Sequence, residues 1–198
     1  MRTCLLARLQ QAFCDTGVTR ILAVDQASTP EALADRRDLE AAGHGFTLID
    51  QGVGDLGQRL DHVWRAIGRG AVLFLGTDSP DVPADLWRSG LAALRHAAVA
   101  VGPTADGGYW TLAARDWQPA LLTGIDWGRD CVYHQTLSRA REAGLSLAEL
   151  PPWYDVDEPA DLLALRQRIR GTSDPALRQL ELDLTRLLPP PDLDPATR

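Results

Sequence analysis

AVLFLGTDSPDVP, residues 71–83, joins an apolar run to a glycine and then presents Asp78, Ser79, Pro80 and Asp81 in quick succession. An apolar run without alternation reads as a strand buried on both faces, and such strands belong to sheets covered on both sides by helices. The run therefore predicts the central strand of an α/β sheet. Asp78, just beyond it, has two readings. An aspartate just past a strand end is held by rigid backbone and can reach a crevice, where magnesium takes one or two carboxylates together with ligand phosphates. The same residue serves equally well as a turn former. Asp81, close before Pro83, reads as the cap of a helix starting near residue 83.

On either side of this stretch, strand-like and helix-like segments alternate. Helical spacing of apolar residues predicts helices over 2–15, 30–43, 56–70, 83–97, 129–143, 159–170 and about 175–187. Short β-rich runs predict strands over 20–25, 46–50, 71–76, 98–102, 108–115 and 145–150. This alternation predicts a three-layer α/β/α sandwich with a mainly parallel sheet, residues 1–170 forming one α/β domain and 171–198 a C-terminal helix with a proline-rich tail. Such sheets bind ligands beyond the carboxyl ends of their strands. Polar clusters at 51–55, 78–81, 103–108 and 155–157 fall at such ends, although acidic residues also cap helices there.

Composition narrows the field. A chain of 198 residues with net charge −7 suits one domain and lacks the basic surface that nucleic acid requires. No run approaches the ~20 apolar residues of a membrane span, and MRTCLLARLQQAF lacks a signal-peptide core, so a cytoplasmic location is expected. The three cysteines are odd in number and read as reduced thiols. All 20 basic side chains are arginine, which excludes Schiff-base chemistry and a lysine-based phosphate loop within this chain.

Three stretches accompany Asp78. In DVDEPADL (155–162), Asp157 offers a second carboxylate for one ion or an N-cap for the next helix, and strand alternation aims either Asp155 or Asp157 at the crevice. In GPTADGGYW (102–110), Gly107 and Gly108 allow close backbone approach to a ligand, with Asp106 able to accept from a hydroxyl. A plain hairpin turn also explains DG. Of Tyr109 and Trp110, one faces the core and the other the site. In QGVGDLGQRL (51–60), Gly54, Asp55 and Gly57 open a helix whose N-terminus favours anions, and Arg59 could add a fork to a phosphate. The histidines show no metal-ligand spacing.

GDLGQRL, LFLGTDSPDVP, GPTADGGYW, GIDW and LPPWYDVDEPADL, in that order, resemble a bacterial glycosyltransferase-A-like family of unknown function within the nucleotide-diphospho-sugar transferases and nucleotidyltransferases. The likeness is strong over about residues 50–165 and rests on pattern alone before that. It implies a GT-A-like fold and a divalent cation, Mg²⁺ or Mn²⁺, on Asp78 and Asp157. Asp78 and Asp106 are then the candidate catalytic residues, and Gly54, Asp55, Gly57, Arg59, Gly107, Gly108 and Tyr109 the candidate substrate-binding ones. The implied activity is transfer from a nucleotide or nucleotide-sugar to a small-molecule acceptor. Relatives open with a strand and a loop containing lysine and arginine that wraps the nucleotide phosphates. This chain begins at what would be the following helix, which implies a lost strand and loop or a start codon placed too late. Losing a strand would expose a sheet edge for a second copy to cover, and losing the loop would suit a non-catalytic binding protein, the rival to the transferase.

Overall fold

The computed structural model describes residues 1–25, 37, 41 and 45–188. The expected helix over 30–43 lies almost wholly outside these residues, as does the proline-rich tail. Helix α1 (Arg2–Phe13) leads to strand β1 (Ile21–Val24), which pairs in parallel with β2 (Thr47–Asp50) from Ile21↔Thr47 to Val24↔Asp50. Then come α2 (Leu56–Ile67), β3 (Val72–Leu75), α3 (Ala84–Ala93), β4 (Val99–Pro103) and β5 (Tyr109–Ala114). A 3₁₀ turn (Pro119–Leu122), α4 (Val132–Glu142), β6 (Leu147–Glu149), α5 (Pro159–Arg168) and α6 (Pro175–Leu187) complete the described chain.

The larger sheet has the order β3-β5-β4-β6. β5 runs antiparallel to both β3 and β4, and β4 runs parallel to β6. Thus β3, β4 and β6 share one direction and deliver their carboxyl ends to one side, with the start of β5 among them. Among the described residues no ladder joins the β1–β2 pair to β3.

Helices cover this sheet on both faces. Ala100 of β4 and Ala113 of β5 pack with Leu5, Phe13 and Trp87 of α1 and α3. Val99, Val101 and Leu112 pack on the other face with Trp64, Leu137 and Ala140 of α2 and α4. The alternation of one strand thus divides between two cores, as expected for a three-layer α/β fold. A third cluster joins Cys4 of α1 to Leu165 of α5 and to Leu177, Leu180 and Leu184 of α6.

The strand at 72–75 differs from its expected place. It lies at one side of the four-stranded sheet and is half-buried along its length, whereas β4 and β5 hold the middle. An unbroken apolar run signals that both faces meet protein, but carries no information about which strands flank it.

Candidate functional site

Two features of strand register assemble the site. The parallel β4–β6 ladder continues past its named ends: Leu150 N–H donates to Val101 O at 2.8 Å, Trp153 N–H donates to Pro103 O at 3.0 Å, and Thr104 pairs with Trp153. Two residues further along each chain stand Asp106 and Asp155, so the register brings two carboxylates together. On the other side, Gly76 N–H donates to Trp110 O at 3.1 Å, which carries Asp78 to the start of β5. Asp78, Asp106, Asp155 and Asp157 all line one cleft of about 390 Å³ at the carboxyl ends of β3, β4 and β6.

Asp106, Asp155 and Asp157 each place an oxygen within 4.8 Å of the others. Their environments drive them apart. Asp106 Oδ1 accepts from Thr104 Oγ1 at 2.5 Å and from Gly108 N–H at 2.9 Å. Burial alone would push Asp106 up, but these bonds and one from Asp155 hold it below the ordinary carboxylate range. Asp155 is pushed up to about 6, by burial first and then by its hydrogen bond to the Asp106 charge beside it. Asp157 is also raised, by burial and then by the charges of Asp106 and Asp78. A raised carboxyl among like charges is a group that gains from a cation.

The donor chemistry suits a hard divalent ion. Magnesium or manganese takes carboxylate oxygens at roughly 2.1 Å in an octahedron, which spaces donors about 3–4 Å apart, inside the 4.8 Å within which these oxygens lie. Among the described lining residues there is no histidine or cysteine to favour a softer metal. Leu56, Tyr109, Trp110, Trp127 and Val132 supply the apolar part of the cleft lining. The Tyr109 hydroxyl is turned inward beside Thr136, and burial raises it far above the phenol range, so Tyr109 acts as wall rather than acid.

Of the residues singled out in sequence, the cleft gathers Asp78, Asp106, Gly108, Tyr109 and Asp157, whereas Gly107 does not line it but packs against the Asp130 backbone. Gly54, Asp55, Gly57 and Arg59 do not line it. Asp55 Oδ1 accepts from Gln58 N–H at 2.8 Å while Gln58 Oε1 accepts from Asp55 N–H at 2.9 Å, a capping box that consumes the start of α2. Arg59 Nε donates to Gly54 O at 2.9 Å. Asp155, left open against Asp157 in sequence, joins the cluster together with it.

Asp81 does not cap α3, whose N-cap is Pro83 with no side-chain bond. Its carboxylate, 3% exposed, pairs with Arg168 Nε at 2.7 Å and accepts from Trp153 Nε1 at 3.2 Å. It therefore ties the loop bearing Asp78 to the segment bearing Asp155 and Asp157. Sequence reasoning quoted Trp127 only as the end of GIDW, without a role, and missed Arg129; both are in the cleft lining. Their signal was a tryptophan and an arginine alternating with aspartates and a glycine in the turn ahead of α4.

The fold is similar to that of a nucleotide-diphospho-sugar transferase. The chain is similar to a solved protein from Desulfovibrio desulfuricans G20 described as a "putative nucleotide-diphospho-sugar transferase", at 26% identity and a TM-score of 0.77, over 94% of this chain and 84% of that one. It belongs to the family described as uncharacterized protein conserved in bacteria (DUF2064), whose profile matches residues 8–129. That span holds Asp78 and Asp106 and ends before Asp155 and Asp157. No curated protein matches the chain. No helix among the described residues is long and apolar enough to cross a membrane.

Proposed function

We propose that this protein is a transferase acting on a nucleotide or nucleotide-sugar held with Mg²⁺ or Mn²⁺ in the cleft beyond β3, β4 and β6. One observation carries the reading: Asp106, Asp155 and Asp157, from two separate segments, bring oxygens within 4.8 Å of one another in a cleft that Tyr109, Trp110 and Trp127 also line. Like charges held together cost stability unless a cation compensates them, and the aromatic residues offer a surface for a flat or ring-shaped moiety. Similarity to the Desulfovibrio protein supports the same class of ligand.

Asp106, Asp155 and Asp157 would hold the cation, with Asp78 at its edge. Bound there, a divalent ion neutralises the charge of a diphosphate leaving group. Asp106, whose Oδ1 is fixed by Thr104 and Gly108, stays ionised and would anchor the ion beside Asp155 and Asp157. No covalent nucleophile is required; positioning and exclusion of water supply the catalysis.

Thermal-shift measurement with nucleotides and nucleotide-sugars, each with and without Mn²⁺, tests the reading. Stabilisation by at least one of them is expected only with the cation, and Asp157→Asn should abolish it while leaving the unliganded midpoint within a few degrees. Metal-independent stabilisation, or stabilisation unchanged in Asp157→Asn and Asp106→Asn, would overturn the assignment.

A further inference from the structure

The cleft is lined by Asp78, Asp106, Asp130, Asp155 and Asp157 against a single arginine, Arg129. No hydrogen bond or ion pair engages the Arg129 side chain among the described residues. Its turn, however, is tightly held. A Cβ on Gly57 would stand 2.5 Å from Trp127 Nε1, so the indole lies directly against α2. A Cβ on Gly107 would stand 1.9 Å from Asp130 O, and Gly107 has φ +90°, so two backbones touch where only glycine fits. Asp126 and Gln135 exchange two hydrogen bonds of 2.7 Å each. The clamped turn fixes the backbone from which the exposed Arg129 side chain reaches the cleft.

The start of α4 does not supply this function. Tyr133 N–H donates to Gly107 O at 2.8 Å, and Val132 N–H donates to Arg129 O at 3.4 Å, so neither amide is left for a ligand. An anion entering a cleft with five carboxylates is repelled unless it carries a cation with it. A diphosphate chelates a divalent ion and still presents outer oxygens, whereas a simple monoanion does not. Guanidinium forks match phosphate oxygens in pairs.

Resting on the function proposed for this cleft, we infer that Arg129 is a binding residue for the outer phosphate of a metal-chelated diphosphate, presented by a turn that Gly57 and Gly107 clamp in place. It selects chelating diphosphates over monophosphates, and cation and diphosphate bind together.

Isothermal titration with Mn²⁺ alone, with inorganic pyrophosphate plus Mn²⁺, and with inorganic phosphate plus Mn²⁺ tests this in wild type, Arg129→Gln, Arg129→Lys and the control Arg95→Gln. Wild type should bind pyrophosphate with Mn²⁺ far more tightly than phosphate. Arg129→Gln should weaken pyrophosphate about tenfold or more while leaving Mn²⁺ binding intact. Arg129→Lys should fall between the two, and Arg95→Gln should match wild type. Pyrophosphate bound equally by Arg129→Gln and wild type overturns the role of Arg129 and leaves the metal site standing. Mn²⁺ binding without any pyrophosphate binding does the same. Binding of neither overturns both readings.

Discussion

Asp106 and Asp155 show how two identical side chains in contact acquire different states. Asp106 collects a hydroxyl and a backbone amide, and both bonds favour its charge. Asp155 has the larger burial cost and faces that charge, so the proton resides on Asp155, with its carboxyl pushed up to about 6. The folded protein therefore binds a proton here that the unfolded chain, with an ordinary carboxyl near 3.8, has released. Stability from this group is complete below the unfolded value and is lost as pH rises through about 6. Asp155→Asn keeps a donor toward Asp106 and removes the titration. It should match wild type near pH 4 and be the more stable protein at pH 7.5, with the difference opening as Asp155 ionises. Urea denaturation of both proteins across that range measures it. A stability difference that does not vary with pH would show that Asp155 keeps no proton in the folded state.

Individual elements carry the site by ties that run far along the chain. Asp81 and Arg168 lie 87 residues apart, and their pair fastens α5 to the loop after β3. Asp81 is almost fully buried, so Arg168→Met leaves a buried charge without its partner and should cost about 3 kcal/mol. Asp81→Asn should cost a similar amount, and the double variant should cost clearly less than the sum because both remove one interaction. Additive costs in urea denaturation would mean that the two residues act separately. This pair also marks where sequence reading stops. The capping box of Asp55 and Gln58 lies within four residues as a local spacing, although sequence reading assigned Asp55 to a ligand, and the expected helices that fall in the described residues agree with the observed elements to within a few residues. Asp81 precedes a proline and has the local pattern of a cap, but its partner arrives from a distant helix and no local pattern encodes it. The aspartates after β3, β4 and β6 were legible as strand-end carboxylates. That Asp155 stands beside Asp106 follows from the Thr104↔Trp153 pairing, and register between strands separated by a helix is not written in either strand. Trp127 and Arg129 stand in a turn whose residue pattern is visible locally, but their place in the cleft depends on glycines in two other elements.

Across the whole molecule, the layer made by α1, α5 and α6 braces the cleft from behind. Arg8 is its centre: the buried guanidinium donates to Pro80 O at 2.6 Å and Val82 O at 2.9 Å, pairs with Asp174 Oδ2 at 2.7 Å, and lies over Trp87 at 4.9 Å. One side chain thus links α1, the start of α6, the loop after Asp78, and α3. Asp174 has two tasks, since its Oδ1 also accepts from Ala176 N–H at 2.9 Å and Leu177 N–H at 3.2 Å as the cap of α6. Burial works against its charge, but the Arg8 hydrogen bond first, and then the cap amides, outweigh burial and leave the carboxyl below its ordinary value. Its stabilisation is present above the unfolded value and is lost as pH falls through the lower folded one. Asp174→Asn retains a capping oxygen and loses the charge facing Arg8, whereas Asp174→Ala loses both. The asparagine variant should be destabilised and the alanine variant by about 1 kcal/mol more, with the acid-side loss of stability shallower in both than in wild type. If the brace reaches the cleft, both variants should also weaken Mn²⁺ binding although Asp174 touches no cleft carboxylate. Denaturation and Mn²⁺ titration on the same samples separate the outcomes. Reduced stability with unchanged Mn²⁺ affinity would confine Arg8 and Asp174 to holding helices together, and weakening in both would make the rear layer part of how the site is aligned.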